Sequence, residues 1–186
     1  MPSSPGCAIL SVADKSGLAQ MAAALRDRGV ALYATGGTAE HLRAHAIEAH
    51  DIAALTGHPT MLGGRVKALH PAVFAGLLAR AGDDGELAAH GYAPIAFLIA
   101  GIAPVVTAGS VFADMDIGGP AMIRAAIKNA GRVVVATDPD AYAPIIAALG
   151  EGEVGPALRR HLAWRALERL IDADTALLRR VAERVD

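Results

Sequence analysis

The 186-residue chain holds a single cysteine, Cys7, so no disulfide framework can form within it. With no histidine or basic cluster nearby to lower its pKa, Cys7 reads as a small core or frayed-end residue rather than a nucleophile. A strong charge of either sign is also missing: 17 lysines and arginines against 19 acids leave a net charge of −2, and there is no long basic run. That balance argues against broad nucleic-acid binding, although a local cationic pocket is still allowed. The opening Met-Pro-Ser-Ser-Pro-Gly has no positive n-region and no apolar h-region, unlike a secretory signal. The longest apolar stretch, Tyr92 to Ala108, is interrupted by Pro94, Gly101 and Pro104 and is shorter than the roughly 20 residues a bilayer span needs. The expectation is a soluble cytoplasmic protein with neither a membrane nor a nucleic acid as partner.

What is present is a globular composition, 53% hydrophobic and 19% charged, of a length most simply read as one domain over 1–186. Short β-rich runs alternate with helical patterns, which predicts an α/β fold with a mainly parallel sheet. Strands are expected at Ala8–Val12, Val30–Ala34, Ile47–His50, Ile95–Ile102 and Arg132–Thr137. Helices are expected at Gly17–Arg28, from Thr38 through about Ala44, at Pro71–Arg80, from Gly118 through Asn129, at Pro139–Leu149, and from Pro156 to the C-terminus. The helix at 17–28 carries Leu18, Met21, Ala22 and Leu25 on one face, Pro71 suits a first helical turn, and residues 51–69 read as irregular.

Three strand-to-helix junctions carry similar polar chemistry: Ser11-Val-Ala-Asp14-Lys15-Ser16-Gly17, Thr35-Gly36-Gly37-Thr38 and Asp116-Ile117-Gly118-Gly119-Pro120. In an open parallel sheet such junctions converge beyond the carboxyl ends of the strands, where ligands bind. Glycines expose backbone donors at a helix start, which makes an anion cradle. Each junction also has a plain reading, with Asp14, Ser16 and Thr38 as helix caps and the glycines as turns. A fourth segment, Met61-Leu-Gly-Gly-Arg65-Val-Lys67-Ala-Leu-His70-Pro71, sets two cations beyond a Gly-Gly pair; it is either an anion site or a solvated turn. Together the four segments point to a phosphorylated small molecule. Lys128 sits in a last helical turn, where the dipole favours a cation, or else reaches back toward Asp116.

These segments, SVADKSG (11–17), ATGGTAEHLR (34–43), LTGHPTMLGGRVKALHPAVFAGLLAR (55–80), DIGGPAMIRAAIKN (116–129) and DPDAY (138–142), together resemble the IMP cyclohydrolase (inosinicase) domain of the bifunctional AICAR transformylase/IMP cyclohydrolase family. The resemblance implies a methylglyoxal-synthase-like domain, a mainly parallel sheet flanked by helices with a long C-terminal helix. The family's transformylase domain has no counterpart expected within 1–186. The implied reaction is attack of the carboxamide nitrogen of 5-formamidoimidazole-4-carboxamide ribotide on its own formyl carbon, with loss of water to give IMP, and it calls for no cofactor and no metal. By resemblance Lys15, Ser16, Thr35, Gly36, Gly37 and Thr38 hold the 5-phosphate end, and Arg65 and Asn129 assist nucleotide binding. Lys67 stabilises the formyl oxygen, Asp116 and Lys128 move protons at the carboxamide, and the backbone of Ile117 and Gly118 lines the base. The partners it implies are a purine ribotide, a homodimer and a separate transformylase.

The chain also departs from the family pattern. Asn-Leu-Tyr-Pro-Phe is replaced by Gly101-Ile102-Ala103-Pro104-Val105, and polar family positions are occupied by Ala13, Ala68, Phe74 and Ala130. In the last helix the family pattern survives only as Arg165-Ala-Leu and Asp174. Losing an oxyanion donor costs on the order of 10²–10³ in turnover, although an intramolecular ring closure brings its own proximity. The expectation is a working but altered ring-closing site, with a non-catalytic ribotide-binding module as the alternative. A methylglyoxal-synthase-type lyase would use the same fold, but the Arg-Val-Lys-x-Leu-His-Pro segment belongs to the cyclohydrolase family.

Overall fold

A computed structural model describes residues 6–103, 111–112 and 115–183. Its centre is a five-stranded sheet of β1 (Cys7–Ser11), β2 (Ala31–Ala34), β3 (His50–Asp51), β4 (Ile95–Ala100) and β5 (Val134–Ala136), in the order β3-β2-β1-β4-β5. All four pairings are parallel, as near-continuous apolar strands predict. The side-chain alternation of period two sends Ala8, Leu10 and Ile99 to one face and Cys7, Ile9 and Leu98 to the other. Both sets are buried, because helices cover both faces.

On the first face lie α1 (Leu18–Asp27), α2 (Gly36–Ala44) and α7 (Tyr142–Glu151), through Leu25, Leu42 and Ile145. The second face is covered by α3 (Ile52–Thr56), α4 (Pro71–Leu78), α6 (Gly118–Lys128) and the inner side of α8 (Pro156–Ala182), through Ile52, Leu77, Ile123 and Ala166. The 27 residues of α8 are the longest element, about 40 Å at helical rise. Beyond Leu170 none of its described residues is fully buried, so its second half lies over the body without entering the core.

Several local expectations are corrected. Residues 51–69 are not wholly irregular: Asp51 caps α3 by accepting the Ala53 amide at 2.8 Å, and Leu62–Gly64 forms a 3₁₀ turn. The third strand is His50–Asp51 rather than Ile47–His50, with Ile47 buried just ahead of it. A further helix, α5 (Asp84–Ala89), stands where none was expected. The segment after β5 begins as a 3₁₀ turn at Pro139–Ala141 before α7. Pro104, Val105 and the end of the last helix beyond Glu183 lie outside the described residues.

Candidate functional site

The strand order reverses between β1 and β4, where chain connections depart to opposite sides and leave a crevice beyond the strand ends. The backbone closes the base of this crevice, with the Gly101 amide donating to Ser11 at 3.0 Å. The first segment begins at the end of β1 and the second directly after β2, Asp116 of the third is tied to the Ala103 amide just past β4, and the Lys67 loop follows β3 by way of α3.

The first two junctions are stitched to each other. The buried Thr38 hydroxyl donates to the Val12 carbonyl at 3.2 Å and accepts the Val12 amide at 3.3 Å. The buried Thr35 hydroxyl donates to the Ser11 hydroxyl at 3.0 Å. Thr35 and Thr38 therefore hold the cradle together, while Gly36 and Gly37 have open space where a Cβ would stand. The Lys15 ammonium folds back onto the Val12 and Ala13 carbonyls at 2.5 and 3.2 Å. Asp14 accepts the Ser16 amide at 2.9 Å. That amide, with the Ser16 hydroxyl and the Lys15 charge behind it, holds the Asp14 carboxyl below the usual range.

The Gly-Gly pair of the fourth segment is a hairpin tip. Met61 and Val66 exchange backbone bonds at 3.3 and 3.4 Å, and Leu62, Gly63 and Gly64 between them all have positive φ. The glycines make the turn, and Arg65 and Lys67 follow it on the returning side. Arg65 is exposed and Lys67 half-buried, and neither makes an ion pair or hydrogen bond among the described residues. His70 caps α4, its Nδ1 accepting the Ala72 amide at 3.2 Å, and its ring lies 5.1 Å from that of His58.

At the third junction the Asp116 carboxylate is held from both sides. One oxygen accepts the Gly119 amide and the other the Ala103 amide, each at 3.2 Å. The first of these bonds satisfies an orphan donor at the start of α6. Among the described residues no other donor reaches the carboxylate, so each oxygen keeps a lone pair. Ile117 is exposed, and Gly118 has open space around it.

The structure does not bring Lys128 and Asn129 into this group. Lys128 is the last of the eleven residues of α6, about 15 Å of rise from its start, and is exposed at the foot of the sheet. The Asn129 amide is taken up by α4: Nδ2 donates to the Leu77 and Ala79 carbonyls at 2.8 and 2.9 Å.

The departures from the family pattern divide by location. Ala68 is buried in the second core cluster, against which Phe74 and Ala130 pack, so these three changes belong to the interior. Ala13, Gly101 and Ala103 instead line a cleft of about 850 Å³ whose opposite wall is α8. That wall carries Arg169, Ala173 and Ala176, none of them among the residues the sequence motifs single out. The spacing Arg165–Arg169 was the available signal, since residues four apart share a helix face. Both arginines reach the buried Asp138 carboxylate, at 3.3 and 3.5 Å, and tie α8 to the end of β5.

Fold and crevice define an α/β domain that presents helix starts and a backbone-held carboxylate beyond its strand ends, with a lysine unpaired among the described residues on the loop after α3. The MGS-like domain family matches residues 17–147, and the chain belongs to that family. Within it the chain is similar to the bifunctional purine biosynthesis protein PurH. The Xanthomonas euvesicatoria pv. vesicatoria (strain 85-10) protein is 46% identical over 181 residues, covering 91% of this chain and 34% of that protein. The Xylella fastidiosa (strain M12) protein is 44% identical over the same shares. The chain thus spans about a third of the length of these curated relatives. A solved structure titled "Crystal structure of ForH" superposes with a TM-score of 0.81 at 35% identity, covering 92% of this chain and 97% of that one. Among the described residues, no helix is long and apolar enough to cross a membrane.

Proposed function

We propose that the chain acts in purine-type ring formation, closing a formamido-carboxamide ribotide, or a close analogue of it, to the fused pyrimidine ring with loss of water. The carboxamide nitrogen attacks the formyl carbon and gives up one proton. The formamide nitrogen gives up the other, and the formyl oxygen departs with both as water. The Thr35–Thr38 cradle and Lys15 take the phosphate handle, with Lys15 released from the carbonyls it now contacts. The Lys67 ammonium meets the negative charge that develops on the formyl oxygen, and Asp116 accepts the carboxamide proton on a free lone pair. The observation that carries this reading is a half-buried Lys67 with no ion pair or hydrogen bond among the described residues, in a chain that also holds a carboxylate already oriented by two amides. Preorganised charge of this kind is the usual source of rate in such a step.

The test is the growth of IMP absorbance when purified protein meets formamidoimidazole-carboxamide ribotide. Growth above the uncatalysed rate is expected, and Lys67→Ala is expected to lower it by about 10²–10³-fold. No growth, with Lys67→Ala indistinguishable from the parent, removes the reading. A non-catalytic ribotide-binding module is the second reading. It is favoured by Gly101 and Ala103, which bring no side-chain donor of their own to the cleft they line, and it predicts ribotide binding without turnover. Under either reading, a homodimer and a separate transformylase that supplies the formylated ribotide are the partners we propose.

A further inference from the structure

Helices α4 and α6 run side by side, and their far ends are joined through one side chain. The last carbonyls of a helix have no partner within it, and Asn129 supplies one for α4: both Nδ2 protons are used, on Leu77 and Ala79. Asn129 is itself held firmly. Its amide closes α6 onto the Ala125 and Ala126 carbonyls, and its own carbonyl accepts the Arg132 and Val133 amides at 2.9 Å each. Arg132 adds a longer bond to the same Ala79 carbonyl at 3.3 Å. The opposite ends of these two helices are the starts that carry the chemistry, His70 with the Lys67 loop on α4 and Asp116 with Gly118 on α6. A helix of eight or eleven residues is a short rigid lever, so fixing one pair of ends fixes the spacing of the other.

We propose that Asn129 is a positioning residue, whose amide clamps α4 to α6 at the foot of the sheet and so sets the Lys67 loop against Asp116 at its top. Its kinetic arm rests on the ring-closing reading above. The phosphate cradle lies on β1, β2 and their helices, and is independent of this clamp. Asn129→Ala is therefore expected to lower kcat by about 10- to 100-fold, the cost of a displacement of about 1 Å at a reacting centre, with the Kd for ribose 5-phosphate within twofold of the parent. Asn129→Asp turns lone pairs toward two carbonyls. It is expected to be slower still and to regain part of its rate as the pH falls, because a protonated carboxyl again donates one bond; Asn129→Ala shows no such regain.

A folded Asn129→Ala with unchanged kcat overturns the proposal, as does a parallel fall in turnover and ribose 5-phosphate affinity. The clamp is also read without catalysis, from spin labels at Pro71→Cys and Ile117→Cys in the full chain, since native Cys7 is buried. A narrow distance distribution is expected, broadened or shifted by Asn129→Ala, and an unchanged distribution overturns the clamp even in a protein without turnover. Absent turnover with a distance that does respond overturns only the ring-closing reading.

Discussion

A Cβ on Gly119 would stand 2.7 Å from Oδ2 of Asp116 and 3.2 Å from the Gly101 carbonyl, so the carboxylate occupies the space a side chain would need. The glycine and the acid are thus one feature, since Asp116 reaches the Ala103 amide only because position 119 is bare. Gly119→Ala is expected to displace the carboxylate and lower ribotide turnover by about 10- to 100-fold while ribose 5-phosphate still binds. Steady-state kinetics beside calorimetry check this. Unchanged turnover would mean that the position of Asp116 does not matter to the reaction.

Thr38 is the corresponding joint in the phosphate cradle. Its buried hydroxyl serves both polar groups of Val12, and Thr38→Val leaves them without that partner at nearly constant volume. An unmet buried polar group costs about 1–3 kcal/mol, so denaturant unfolding should shift by about that much, with ribose 5-phosphate affinity falling as the two junctions part. Thr38→Ser should recover most of both losses. If Thr38→Val binds as tightly as the parent, the stitch is structural only.

The layered fold was legible because short continuous apolar runs such as AILS and IAFLIA alternate with helical patterns, a signal that depends only on near neighbours in the chain. The features a sequence does not display are short or long-range. The six residues of α5 and the five of α3 are too few for a helical period to show. The jobs of Asn129, Arg165 and Arg169 depend on partners 27 to 52 residues away. The junctions were visible as residue types, but whether Thr35 and Thr38 face a ligand or each other's strands is decided by packing. Likewise Ala68 and Ala103 look alike as departures in a sequence, and only the fold shows that one lies in the core and the other on the cleft.

Gly76 illustrates a constraint of the same kind in the core. A Cβ there would meet the Ala93 carbonyl at 2.6 Å and the Ile95 side chain at 2.9 Å, so α4 lies directly against the chain entering β4. Alanine in mid-helix normally gains about 1 kcal/mol over glycine, but overpacking costs about 1–3 kcal/mol. Gly76→Ala is therefore expected to be net destabilising by about 1 kcal/mol, seen as a lower denaturation midpoint with an unchanged m-value. A stabilised Gly76→Ala would show that the strand entry yields easily.

Burial pushes the Cys7 thiol from its ordinary value of 9.0 up to about 12, which makes it both unreactive and a source of alkaline instability. Between pH 9 and 12 the unfolded chain has lost this proton while the folded chain retains it. The unfolded state then binds fewer protons, and stability falls as pH rises, at up to about 1.4 kcal/mol per pH unit; below pH 9 the contribution is constant. Burial likewise pushes the Tyr142 hydroxyl to about 12, so a second loss sets in above pH 10. The Cys7→Ala variant isolates the first: its stability relative to the parent should be flat up to pH 9 and then improve steadily toward pH 10. In the native parent at pH 8 the thiol should resist alkylation by iodoacetamide and react only after unfolding. Rapid native labelling, or a stability difference independent of pH, would place Cys7 outside the sealed core.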